Sequence, residues 1–120
     1  MKVILVGLAG AAGAVARYGI GVAVGTRSFP WTTLGINLVG SFLLGLLLTV
    51  GMARDWPDTT TAPLAIGLLG GFTTFSTFSY EAHSMLREDR VAAAAIYVGA
   101  SVVGGVVAAA CGYLTGRAAT

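Results

Sequence analysis

The sequence predicts an all-α membrane protein of four transmembrane helices forming a single domain over residues 1–120. Three observations carry that expectation. Of 120 residues, 56% are apolar and only 10% are charged, well under half the ~25% charged share of soluble domains. Mean hydropathy is +0.84. Uncharged runs of 26, 22 and 26 residues occupy 28–53, 59–80 and 91–116, and a spanning helix needs roughly 20 apolar residues. Twelve charged side chains cannot coat a water-soluble surface, which excludes a soluble enzyme, a disordered tail and a nucleic-acid module. The net charge of +2 comes from scattered cations rather than a basic patch. One cysteine, Cys111, and one histidine, His83, exclude a disulfide framework and a multi-ligand transition-metal site, and both read as structural.

The first helix is expected at about 3–24. Lys2 followed by an apolar run imitates a signal peptide, but the apolar character continues past Arg17, and cleavage would leave an odd number of spans. Gly7, Gly10 and Gly13 give this helix a small face for close helix contact. Arg17 has two readings: an interfacial anchor ending the helix, or an electropositive mouth that concentrates anions. The second helix is expected at about 32–53 and the fourth at about 91–114. On the fourth, Ala100, Gly104, Ala108, Gly112 and Gly116 form an i, i+4 ladder of small residues, with Tyr97, Ser101, Gly105 and Ala109 beside it. Trp31 and Trp56 stand next to loops, as aromatic belt residues do. Four short helices enclose little interior, so an aqueous route is expected between subunits of an oligomer.

Basic residues are balanced. Lys2, Arg54 and Arg117 fall on one side of a four-span arrangement, and Arg27, Arg87 and Arg90 on the other, leaving Arg17 within the membrane. With no positive bias to fix insertion, dual topology is an expectation of the arithmetic.

The third helix, expected at about 62–85, carries the chemistry. Residues 70–81 read GGFTTFSTFSYE. Gly70 and Gly71 each weaken a helix by about 1 kcal/mol relative to alanine, and Thr73, Thr74, Ser76 and Thr77 can satisfy freed backbone groups. A break here would present free carbonyls on one side and free N–H groups on the other, as in ion sites built on discontinuous spans. The competing arrangement is a continuous helix whose hydroxyls bond to carbonyls four residues back. Phe72, Phe75 and Phe78 share one helical stripe, which suits either core packing or a passage lined by the positive edges of the rings.

Residues 73–78, TTFSTF, resemble the signature of the Fluc (CrcB) family of fluoride channels without a mismatch. The segments GAVARY (13–18) and GINLVGSFLLG (35–45) are similar to that family's first and second helices, as are the length and the balanced loop charges. The resemblance implies an antiparallel homodimer of dual topology in the cell membrane, with two fluoride pathways and a central structural sodium ion. It implies that Phe75 and Phe78 face fluoride with their ring edges and that Asn37 donates hydrogen bonds to it. Thr74 and Ser79 would supply hydroxyls to the pathway. Gly70 and Thr73 would give backbone carbonyls to sodium, two from each copy. Arg17 would sit at a pore vestibule, Glu81 would be a vestibule or structural carboxylate, and Tyr97 with Ser101 would form a polar track. Where some members carry a hydroxyl one turn on, this chain has Gly105.

The implied activity is passive fluoride efflux. No nucleotide loop and no mid-span relay carboxylate is present to couple energy. Two rivals remain. A small multidrug cation/proton antiporter needs a carboxylate within the first helix, where this chain has Arg17 and no acid. A non-transporting membrane assembly subunit would use the small-residue faces as a scaffold. An enzyme lacks a nucleophile–base pair among these residues.

Overall fold

The computed structural model describes every residue, Met1–Thr120, and it is helical throughout. Helix α1 spans Lys2–Val24, α2 Trp31–Ala53 and α6 Val91–Ala118. Each is long and apolar enough to cross a membrane, since 23 residues at 1.5 Å each reach about 35 Å against a hydrocarbon core of about 30 Å. The third span is assembled from pieces. Helix α3, Asp58–Ala62, runs into a π-helical segment, Pro63–Leu69, then α4, Gly70–Phe72; after a break at Thr73–Thr74 the chain resumes as α5, Phe75–Arg87. It is a multi-pass membrane protein with three continuous helices able to cross a bilayer and a discontinuous helical stretch, 58–87, between the second and the last of them.

The third span starts at Asp58, one turn before the position expected from hydropathy, because Pro57 is extended and an acidic residue follows in the first turn, where it complements the helix dipole. Pro63 sits at the head of the π segment and brings no N–H to the helix ladder. Helices α2 and α5 end near Asp55 and Asp89, which adopt positive φ of 50° and 58°, a conformation that aspartate tolerates better than most residues.

Glycine sets the packing. Helix α1 lies against 58–72, and α2 lies against α6. A Cβ on Gly13 would stand 2.1 Å from the Leu68 carbonyl oxygen, and one on Gly112 would stand 2.0 Å from that of Phe42. Such backbone approach is how helices associate where lipid competes equally for apolar side chains. The expected small-residue ladder of the fourth helix is therefore used, with Gly104, Gly112 and Gly116 all meeting α2.

Between these pairs α5 packs on α6, and the small core gathers there: Leu34, Phe78, Ala82, Met85, Ala94 and Tyr97. Only 16 of 120 residues are buried, so much of the apolar surface faces outward, as a bilayer or a second copy requires. Polar ties fix which loops are neighbours. Lys2 pairs with Asp58, and Arg90 Nη2 donates to the Ser28 carbonyl at 2.7 Å. The N-terminus therefore shares an end with the second connection, and the first connection shares the opposite end with the third.

Candidate functional site

The break defines the site. Thr73 has ψ 160° and Thr74 has φ −150°, ψ 120°, so two extended residues interrupt the helical ladder. Their placement corrects the expectation that the chain would kink at its paired glycines. Gly70 is helical, with φ −65° and ψ −37°, and Gly71 lies so close to α1 that a Cβ would fall 2.4 Å from the Gly10 carbonyl oxygen. The glycines serve close approach, and the threonines supply the break.

The two extended residues are held differently, Thr74 by a side chain of another helix and Thr73 by the carbonyl four residues back. Asn37 on α2 donates through Nδ2 to the Thr74 carbonyl at 2.9 Å and accepts the Thr74 N–H on Oδ1 at 2.8 Å. The Thr73 hydroxyl and N–H both bond back to the Leu69 carbonyl, at 2.9 and 3.0 Å. Thr74 also caps α5, its hydroxyl accepting the Thr77 N–H at 3.2 Å, which stabilises a helix start by typically ~1 kcal/mol. Asparagine is the side chain that suits this clamp, since it offers a donor and an acceptor side by side, and one N–H remains uncommitted. The carbonyls of Gly70 and Thr73 accept no hydrogen bond within the chain. Gly71 differs, because Arg17 Nε donates to its oxygen at 3.3 Å.

Two cavities open on either side of the break, and Thr74 lines both. One, of about 600 Å³, lies toward the first connection and is lined by Arg17, Arg27, Thr33, Thr77 and Glu81. The other, of about 440 Å³, is lined by Asn37, Ser41, Gly70, Thr73, Phe75, Phe78, Ser101 and Gly105.

A model of the CrcB-like protein, Camphor Resistance (CrcB), family matches residues 4–113. The chain belongs to the CrcB family. A fluoride-specific ion channel FluC of Thermus thermophilus is 41% identical over 120 residues, covering 98% of this chain and 96% of the relative. Fluoride-specific ion channel FluC 1 of Symbiobacterium thermophilum is 42% identical over 122 residues, 97% of this chain and 98% of the relative. A FluC of Magnetococcus marinus is 42% identical over 121 residues, with 98% of each chain covered.

In this CrcB chain most residues singled out from the sequence gather at the break. Gly70, Thr73, Thr74, Phe75, Phe78, Asn37 and Ser101 share the smaller cavity, and Arg17 and Glu81 share the larger. The phenylalanine stripe is divided, because Phe72 ends α4 while Phe75 and Phe78 start α5. Phe75 is 79% exposed and Phe78 9%, with ring centroids 5.7 Å apart. Tyr97 is fully buried, lines neither cavity, and packs edge-on against Phe78 at 5.1 Å. Ser101 Oγ is buried without a partner. Ser79 lies on the exposed face of α5 outside both cavities, its hydroxyl bonded to the Phe75 carbonyl at 2.9 Å.

Glu81 does not pair with Arg17. Its Oε1 accepts from Thr33 Oγ1 at 2.7 Å and from Tyr97 OH at 3.4 Å, which fixes the carboxylate at the cavity wall. Sequence reading overlooked Thr33. The available signal was its spacing: Thr33, Asn37 and Ser41 recur at i, i+4 and i+8 on the mostly apolar α2, and therefore share a face.

Proposed function

We propose that this chain is a fluoride-selective channel that lowers cytoplasmic fluoride by passive efflux. The observation that carries the reading is the clamped break at Thr73–Thr74, set beside Phe75 and Phe78 and open to a cavity on each side. Membership of a family whose relatives are named fluoride-specific ion channels supports it.

Fluoride holds water tightly, so a pore must replace that water with donors. Those at hand are the second N–H of Asn37, the Thr74 and Ser101 hydroxyls, and the amides that begin α5, whose ladder partners the break removes. The edges of Phe75 and Phe78 add positive potential without fixed charge. Arg17 concentrates anions at the larger cavity, because a cation near low-dielectric walls raises local anion concentration.

Phe75 is too exposed to line a closed route alone. This supports a second copy completing the pathway. The balance of basic residues favours opposite insertion of the two copies, as an antiparallel homodimer in the cell membrane. The uncommitted Gly70 and Thr73 carbonyls fit sodium, a hard cation that takes neutral oxygens, and no cluster of acidic, histidine or cysteine side chains competes for the role. Four oxygens from two copies would hold the ion. When bound, it supplies a positive charge that offsets the carbonyl dipoles and favours a nearby anion.

Proteoliposomes loaded with fluoride and read by a fluoride electrode test the function. Rapid release of fluoride but not chloride is the expected result; exchange of cationic dyes for protons in its place would establish the antiporter.

A further inference from the structure

Two stripes on neighbouring helices run into the smaller cavity, which they line at Asn37 and Ser41 on one side and at Ser101 and Gly105 on the other. On α2 they are Thr33, Asn37 and Ser41, and on α6 Tyr97, Ser101 and Gly105, each set spaced four residues apart. The stripes meet at one end, where Thr33 and Tyr97 both donate to Glu81 Oε1. At the other end α6 carries no side chain, and Ser41 Oγ lies 3.8 Å from where a Gly105 Cβ would stand.

Hydroxyls within apolar helices usually satisfy themselves on the carbonyl four residues back. Thr49, Ser79 and Thr115 do so, at 2.7, 2.9 and 2.8 Å. Ser41 makes no hydrogen bond to any group of the chain and lines the smaller cavity with Ser101, whose oxygen is buried and equally unpartnered. Two uncommitted O–H donors thus face one space from opposite helices. A group left unpaired at such a site is costly, and a small anion that accepts hydrogen bonds would satisfy both.

We infer that Ser41 contacts the permeating fluoride, supplying from α2 the hydroxyl that α6 lacks at Gly105. This rests on the channel reading above. A hydroxyl moved across the cavity by a few ångströms should serve equally well, so the position is exchangeable between the two helices.

The test is fluoride-electrode efflux from liposomes holding the full chain, wild type beside variants checked for unchanged elution in detergent. Ser41→Ala should slow release by about tenfold, the scale of one lost hydrogen bond to a charged group. Ser41→Cys keeps the volume but offers a weak S–H donor, and should slow release similarly. Adding Gly105→Ser to Ser41→Ala should restore release to within about threefold of wild type, the scale of half a tenfold step. If wild type conducts and Ser41→Ala or Ser41→Cys matches it, or if Gly105→Ser fails to rescue, the role of Ser41 is refuted while the channel reading stands. If wild type itself releases no fluoride, the channel reading falls and takes this inference with it.

Discussion

Replacing Asn37 with alanine removes both hydrogen bonds that hold Thr74, at 2.9 and 2.8 Å, and nothing else in the chain reaches those two backbone groups. Each bond contributes about 0.5–1.5 kcal/mol net, so the break loses about 1–3 kcal/mol of local stability. Taking about 2 kcal/mol, the Thr74 amide should exchange with solvent roughly 30-fold faster. The effect should stay local, since α2 and α6 are joined by glycine contacts that Asn37 does not touch, at Gly45, Gly104, Gly112 and Gly116. Hydrogen exchange resolved over 72–78, in detergent or nanodiscs, measures it directly. Fluoride release should fall with it, because Asn37 both shapes the break and offers its remaining N–H to the cavity. Unchanged exchange at Thr74 in the Asn37→Ala variant would refute the clamp.

The remaining expectations concern packing, charge and the larger cavity. Gly112→Leu drives atoms into the Phe42 carbonyl, already 2.0 Å from a bare Cβ, and should cost more than the ~1–3 kcal/mol of ordinary overpacking, seen as a lower thermal unfolding midpoint in detergent. The Lys2–Asp58 pair is exposed and such pairs are worth ~0–1 kcal/mol, so Lys2→Ala should leave that midpoint nearly unchanged. Arg17→Ala removes one of the two cations of the larger cavity, leaving Arg27, together with its bond to the Gly71 carbonyl. Release should slow severalfold at low ionic strength and less at high salt, where screening already weakens the attraction of anions.

Spans were legible because charge is so scarce that uncharged intervals mark them. Close packing of the fourth helix was legible in its small-residue ladder, since small residues at i, i+4 spacing suit close contact, but its partner, α2, was not. What the residues 70–81 could not reveal alone was where the helix stops. Gly70 and Gly71 look like the weak point by propensity, yet tertiary contact with Gly10 keeps them helical, and the decisive partner, Asn37, lies 37 residues from Thr74 in sequence. The π segment has no signal in the sequence alone, because it depends on how 63–69 packs against α1. Tyr97, set in a polar track by resemblance, is buried against Phe78 instead of facing a cavity, as an aromatic ring beside other rings would be on packing grounds alone. Thr33 and Ser41 were readable from their i, i+4 spacing to Asn37 on one face of α2.

If fluoride passes along the ring edges of Phe75 and Phe78, isoleucine at both positions, which keeps apolar bulk while removing those edges, should stop it. Fluoride-electrode efflux from liposomes containing the Phe75→Ile/Phe78→Ile chain, with the dimer verified by cross-linking, is the most direct measurement. Loss of fluoride release from an assembled dimer is the expected result, and wild-type release from that same dimer would contradict it.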